Sequence, residues 1–139
     1  NVIKKEKLLL KRNHRLTNIR KNYLNQTISE IVNRKPRFIC IEDLNVSGMK
    51  KNRHLSKAVQ EQGFFWFRKQ LEYKCNDKGI QLIVADRFYP SSKLCSCCGN
   101  IKKALKLSDR VYRCECGNMI DRDFQASINL KTYGEQFAS

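Results

Sequence analysis

Five of the seven cysteines lie between Cys95 and Cys116, gathered in two tight groups. Cys95 and Cys98 form a C-x-x-C pair, and after a spacer of fifteen residues Cys114 and Cys116 form a C-x-C pair. Zinc takes four thiolates at the corners of a tetrahedron, and two sharp turns that supply two thiolates each meet that demand. Gly99 and Gly117 follow the pairs, where a tight turn leaves little room for a side chain. Lys93, Lys102, Lys103, Lys106, Arg110 and Arg113 surround them and help keep the thiols ionised. The spacing favours Cys95, Cys98, Cys114 and Cys116 as the zinc ligands, with Cys97 free. Four thiolates leave no open position for water, so the expected role is structural. A redox C-x-x-C would sit at a helix start after a strand and lack a second pair, which is a poorer match.

Carboxylates follow at once. Asp121-Arg122-Asp123 comes directly after the second cysteine turn, and Glu42-Asp43 closes an apolar run far upstream. Magnesium is a hard ion that prefers carboxylate oxygens. Two such ions about 4 Å apart serve phosphodiester hydrolysis by activating water and steadying the leaving oxygen. Glu42 at a strand end and the Asp121-Arg122-Asp123 motif at a helix start could bring such carboxylates to one sheet edge. The plainer reading, a surface charge or an acid at a helix N-terminus, suits Asp43, Asp77, Asp86 and Asp109.

The elements that must position these groups read as mixed α/β. Residues about 4–34 predict a long helix, with Leu9, Leu16, Ile19, Tyr23, Leu24, Ile28 and Ile31 on an apolar face. Lys11, Arg12, Arg15, Arg20 and Lys21 make the other face strongly positive. Pro36 closes the helix. Arg37–Ile41 predicts a buried strand ending at Glu42, and residues 45–53 a loop. A second helix is expected over about 55–77, with Leu55, Val59 and Trp66 in one stripe and Phe64, Phe67, Leu71 and Cys75 in another. Its aromatic cluster is read as core, and Gly79 as its end. Residues 80–85 predict a second strand. Strand–helix–strand is the order of a parallel sheet, whose functional groups gather beyond the strands' carboxyl ends, where Glu42 falls. A last helix is expected from Asp123 to about Tyr133, burying either Phe124, Ile128 and Lys131 or Ala126 and Leu130. Cys40 and Cys75 read as small buried hydrophobes.

The chain has 139 residues and a formal net charge of +15. That field points to a polyanion, nucleic acid first. No apolar run approaches the roughly 20 residues of a membrane span, and no signal segment opens the chain. An odd number of cysteines in tight pairs suits thiolates on a metal better than a disulfide framework.

These motifs converge on a family. Ile41-Glu42-Asp43-Leu44-Asn45-Val46 resembles the second acidic motif of RuvC-like nucleases. The segments Phe88–Gly99 and Cys114–Asp123 closely resemble the zinc-ribbon and third acidic motif of the TnpB/OrfB transposon-associated proteins, which are similar to compact type V CRISPR effectors. The resemblance spans nearly the whole chain and implies an RNA-guided DNA endonuclease with an RNase H-like (RuvC-like) fold. It assigns residues 1–90 and 120–139 to the C-terminal part of the nuclease domain and 91–119 to an inserted zinc ribbon. It makes Glu42 and Asp123 catalytic ligands of magnesium, with Asp121 supporting the turn or orienting Arg122. It implies structural zinc, catalytic magnesium, DNA and guide RNA as partners, and a bacterial cytoplasmic, nucleoid-associated location. Lys93 and Arg122 join Lys11, Arg12, Arg15 and Arg20 as expected nucleic-acid contacts. Gln125 stands where the family often has Asn. The family's first catalytic Asp precedes the long helix, and the chain opens on Asn1 without it. The chain is therefore expected to be a C-terminal piece, inactive alone. The alternative is a non-catalytic zinc-ribbon nucleic-acid-binding protein, a truncated relative of the family.

Overall fold

The computed structural model describes residues 1–44, 54–106 and 108–139, without the side chains of 54–62. The loop expected over 45–53 and the side chains of Leu55 and Val59 lie outside the described residues. The chain divides into two compact units, Asn1–Pro36 with Val46–Ile80, and Arg37–Asn45 with Gln81–Ser139.

The first unit holds helix α1 (Val2–Asn33) and helix α2 (His54–Lys78), which pack on each other. The Lys21 ammonium lies 5.9 Å from the centre of the Trp66 ring, a cation–π contact between the two helices. The expected apolar face of α1 is covered only near its C-terminal end. Ile28 and Val32 are buried, whereas Leu9, Leu16, Ile19 and Tyr23 are all more than half exposed. Of the expected face only Ile28 is buried, with Val32 beside it: α1 is 32 residues long and the burial sits in its last turns. In α2, Leu71 and Cys75 are buried as expected, while Phe64 is largely exposed. Burial pushes the Cys75 thiol up, in keeping with an inert hydrophobe.

The second unit is built on two parallel strands, β1 (Phe38–Glu42) and β2 (Gln81–Ala85). Their register runs from Phe38 opposite Gln81 to Glu42 opposite Ala85. A short antiparallel hairpin follows, β3 (Val111–Arg113) with β4 (Met119–Asp121), which the sequence reading did not resolve. Helix α3 (Arg122–Phe137) then packs back across the parallel sheet.

Several contacts fix the direction of α3. The Phe137 carbonyl accepts from Gln81 Nε2 (3.2 Å) at the start of β2. The Tyr133 hydroxyl accepts from the Asp86 N–H (3.1 Å) just past its end. Tyr89, Tyr133 and Phe137 form a row of tilted rings, with centroids 4.7 and 4.9 Å apart. The helix therefore runs opposite to the strands, and its N-terminus lies toward their carboxyl ends. Gly134 makes this approach possible. A Cβ there would sit 2.5 Å from Phe38 Cε2 and 3.0 Å from Cys40 Cβ.

The buried face of α3 differs from both expected faces. Gln125, Asn129 and Gly134 are buried, and Phe124 is 59% exposed. The reason is that α3 does not only cover a sheet. Its polar residues four apart also hold the loops on either side of the cysteine turns.

Candidate functional site

The cysteine turns are shaped by backbone hydrogen bonds. Cys95 N–H donates to the Asn100 carbonyl (2.8 Å) and Gly99 N–H to the Cys95 carbonyl (2.9 Å). In the second turn Cys114 N–H donates to the Asn118 carbonyl (2.9 Å) and Gly117 N–H to Cys114 (3.0 Å). Gly99 and Gly117 have φ of +77° and +94°, a region that side-chain-bearing residues rarely adopt. Tyr112, 1% exposed, closes the floor, its hydroxyl donating to the Lys93 carbonyl (3.1 Å).

These turns bring four sulfurs together, all within 4.8 Å of one another: Cys95, Cys98, Cys114 and Cys116. Cys95 Sγ lies 3.7 Å from Cys116 Sγ, and Cys98 Sγ 3.5 Å from Cys114 Sγ. Zinc–sulfur bonds of about 2.3 Å place the corners of a tetrahedron about 3.8 Å apart, so this donor set fits the ion. The C-x-C pair reaches as well as the longer one. Cys97 is exposed and outside the cluster.

The cluster is electrostatically uneven. Burial opposes ionisation of Cys95, but the Cys98 and Cys97 N–H groups and the Asn118 amide outweigh it and hold the thiol down, to about 6. The Asn118 N–H favours the Cys116 thiolate, yet the neighbouring sulfurs crowd it, and the thiol is pushed up to about 12. A cation among them would replace sulfur–sulfur repulsion with attraction. The Asn118 amide donates both to Cys95 Sγ (3.4 Å) and to Gln125 Oε1 (3.0 Å), which ties the cluster to α3.

The acids sort into two kinds. Asp43 pairs with Arg87 at 3.6 Å. Asp86 accepts from the Phe88 N–H at 2.8 Å and Asp109 from the Lys106 N–H at 2.9 Å, each closing a turn. Asp121 caps α3, accepting from the Phe124 N–H at 2.9 Å. Glu42 and Asp123 are both exposed. Glu42 has no ion pair among the described residues and accepts only from the Ser91 hydroxyl. Asp123 lies in the first turn of α3, 3.7 Å from Arg122 Nε.

Their positions follow from one interface. On β1, Phe38, Cys40 and Glu42 share a side, because strand side chains alternate. Phe38 and Cys40 meet Gly134, and with Arg37, Ser127 and Lys131 they line a cavity of about 300 Å³. Asp123, Ser127 and Lys131 are spaced four apart and form one stripe of α3. From Cys40 the strand side continues to Glu42, and from Ser127 the helix stripe continues to Asp123, both toward the same end. Of the expected nucleic-acid contacts, Lys11, Arg12, Arg15, Arg20 and Lys93 are exposed. Arg122 is instead largely covered, its guanidinium donating to the Lys106 carbonyl (3.3 Å).

Two residues near Glu42 were missed in the sequence. Ser91 is 5% exposed and Asn129 3%. Asn129 Nδ2 donates to the Ser91 carbonyl (2.8 Å) and the Leu94 carbonyl (2.7 Å). The available signal was Gln125 and Asn129, two amides four apart in a helix that needed an apolar face.

Residues 64–130 match the family model described as Cas12f1-like, TNB domain. A Streptomyces pristinaespiralis protein, provisionally named an RNA-guided DNA endonuclease, is 38% identical over 120 residues, covering 86% of this chain and 30% of the relative. InsQ of Escherichia coli (strain K12), with the same provisional name, is 31% identical over 127 residues, covering 80% of this chain and 31% of the relative. A chain from a cryo-EM structure of a Cas12f1–sgRNA–target DNA complex superposes with a TM-score of 0.64 at 20% identity, covering 85% of this chain and 35% of that one. The chain thus spans about a third of the length of the proteins it matches. No described helix is long and apolar enough to cross a membrane.

Proposed function

From the premise that the chain is a relative of the TnpB/Cas12f RNA-guided DNA endonucleases, we propose that it forms the C-terminal, RuvC-like part of such an enzyme. Glu42 and Asp123 hold catalytic magnesium, and Cys95, Cys98, Cys114 and Cys116 hold a structural zinc in a ribbon over residues 91–119. The observation that carries this reading is the shared end of β1 and α3. Glu42 and Asp123 extend the two facing rows of one packed interface, and both are exposed there, whereas Asp86, Asp109 and Asp121 close turns or cap a helix.

Magnesium bound there would supply an activated water and charge to steady the leaving oxygen of a phosphodiester. The chain's own residues prepare for it. The first turn of α3 supplies Asp123 from a capped, fixed backbone. The strand end supplies Glu42 with one oxygen engaged by Ser91. The Lys and Arg side chains along α1, with Lys93, bind the phosphate backbone of DNA or guide RNA. Free thiols and the polyanion partner suit a reducing cytoplasm, beside the nucleoid.

The test uses the longest reading frame that contains this chain, supplied with guide RNA and target DNA. Glu42→Gln and Asp123→Asn each abolish magnesium-dependent cleavage and leave DNA retention intact. Cleavage that survives both substitutions refutes the assignment.

A further inference from the structure

We propose that Ser91 is a positioning residue for Glu42, held in place by Asn129. The inference rests on the reading of Glu42 as a metal ligand and goes beyond it. An exposed glutamate on a strand end is free to turn about its side-chain bonds, and a metal must stop that motion before it can bind. The Ser91 hydroxyl donates to Glu42 Oε1. One oxygen is thereby fixed and the other is left to face an ion.

Ser91 can do this because its own backbone is fixed on both sides. Its N–H donates to the Tyr89 carbonyl (2.9 Å), and its carbonyl accepts from Asn129 Nδ2 (2.8 Å). The same amide holds the Leu94 carbonyl (2.7 Å), one residue before the first cysteine of the cluster. The Tyr89 hydroxyl in turn donates to the Asn129 carbonyl (3.1 Å). The segment from Tyr89 to Leu94 is thus clamped to α3, the helix that carries Asp123. The simpler account is that a buried hydroxyl needs an acceptor and finds one. That account predicts no change in metal affinity when Ser91 loses its hydroxyl, whereas a positioning role predicts a loss.

The experiment follows the Glu42 side-chain carboxyl carbon by NMR before any magnesium or manganese is added, and manganese affinity by electron paramagnetic resonance. It compares the wild type with Ser91→Ala, Ser91→Thr and Glu42→Gln, all zinc-loaded. Ser91→Ala is expected to move the Glu42 carboxyl signal and weaken manganese binding by about 10- to 100-fold, the usual effect of losing a group that orients a ligand. Ser91→Thr, which keeps the hydroxyl, is expected to restore most of both. If Ser91→Ala folds poorly, the wild-type Ser91 hydroxyl proton serves instead. It should exchange slowly, and quickly once Glu42→Gln removes the charged acceptor. An unmoved Glu42 signal and unchanged manganese affinity in Ser91→Ala overturn the proposal while leaving Glu42 as a ligand. So does a hydroxyl proton indifferent to Glu42→Gln. Manganese affinity unchanged in Glu42→Gln itself refutes the functional reading, and the positioning role falls with it.

Discussion

Replacing Gly134 with alanine should destabilise the chain, although helix propensity alone argues the opposite. Alanine is favoured over glycine in a helix interior by about 1 kcal/mol. Against this stands the interface with β1. The new Cβ would lie 2.5 Å from the Phe38 ring and 3.0 Å from Cys40 Cβ, where carbon atoms pack best at about 3.5–4.0 Å. The ring could swing, but Cys40 Cβ is bonded directly to the strand backbone, so α3 itself must lift. Overpacking of this kind costs about 1–3 kcal/mol, and two simultaneous contacts belong in the upper part of that range. The net loss is about 1–2 kcal/mol, or a melting temperature lower by about 3–8 °C for a chain of this size. Gly63, in α2, is the control, because a Cβ there meets nothing within 4 Å. Gly63→Ala should raise the melting temperature by a few degrees. Thermal unfolding of both variants, followed by circular dichroism with zinc present, gives the answer. Equal stabilisation by the two substitutions would refute the close packing of α3 on β1, and with it the argument that brings Glu42 and Asp123 to one end.

Other expectations follow from the same contacts. Cys114→Ser should abolish tight zinc binding and Cys97→Ser should leave one zinc per chain, measured by metal analysis after dialysis; the reverse pattern would overturn the ligand set. The zinc-bound chain carries fewer protons than the metal-free one, because the raised Cys98 and Cys116 thiols must ionise to bind. Affinity therefore rises with pH, and it falls most steeply below about 6, where Cys95 also gains its proton. Calorimetry in two buffers would detect the proton release, and a pH-independent affinity would contradict it. Asn129→Ala leaves one buried and one part-buried carbonyl without their donor and should cost about 2–4 kcal/mol in urea unfolding. Substituting Lys11, Arg12, Arg15 and Arg20 together should flatten the salt dependence of DNA binding, lowering the log–log slope by up to about 3–4; an unchanged slope would remove α1 from the interface.

The sequence showed most plainly what depends on spacing. Four thiolates in two turns, with Gly99 and Gly117 behind them, specify a local geometry that no distant contact need complete. The parallel pairing of β1 and β2 was legible for a similar reason, since short apolar runs flanking a helix have few other ways to pair. The buried face of α3 was not legible. Hydrophobic periodicity looks for apolar residues, and there the buried positions are Gln125, Asn129 and Gly134, chosen by hydrogen bonds and close approach to residues up to about a hundred positions away. The apolar face of α1 failed in the opposite sense. The periodicity is present, but burial also needs a covering element, and periodicity says nothing about that. Ser91 was invisible because its partner, Glu42, is 49 residues distant, and a serine in a loop carries no pattern of its own.

The most direct test is a manganese titration of the zinc-loaded chain, followed by paramagnetic broadening of backbone amide signals. The account predicts that Glu42 and Asp123 lose intensity together, at the same manganese concentration and ahead of Asp77 and Asp109. Broadening at only one of the two, or at different concentrations, would show that they do not share an ion and would contradict the central claim.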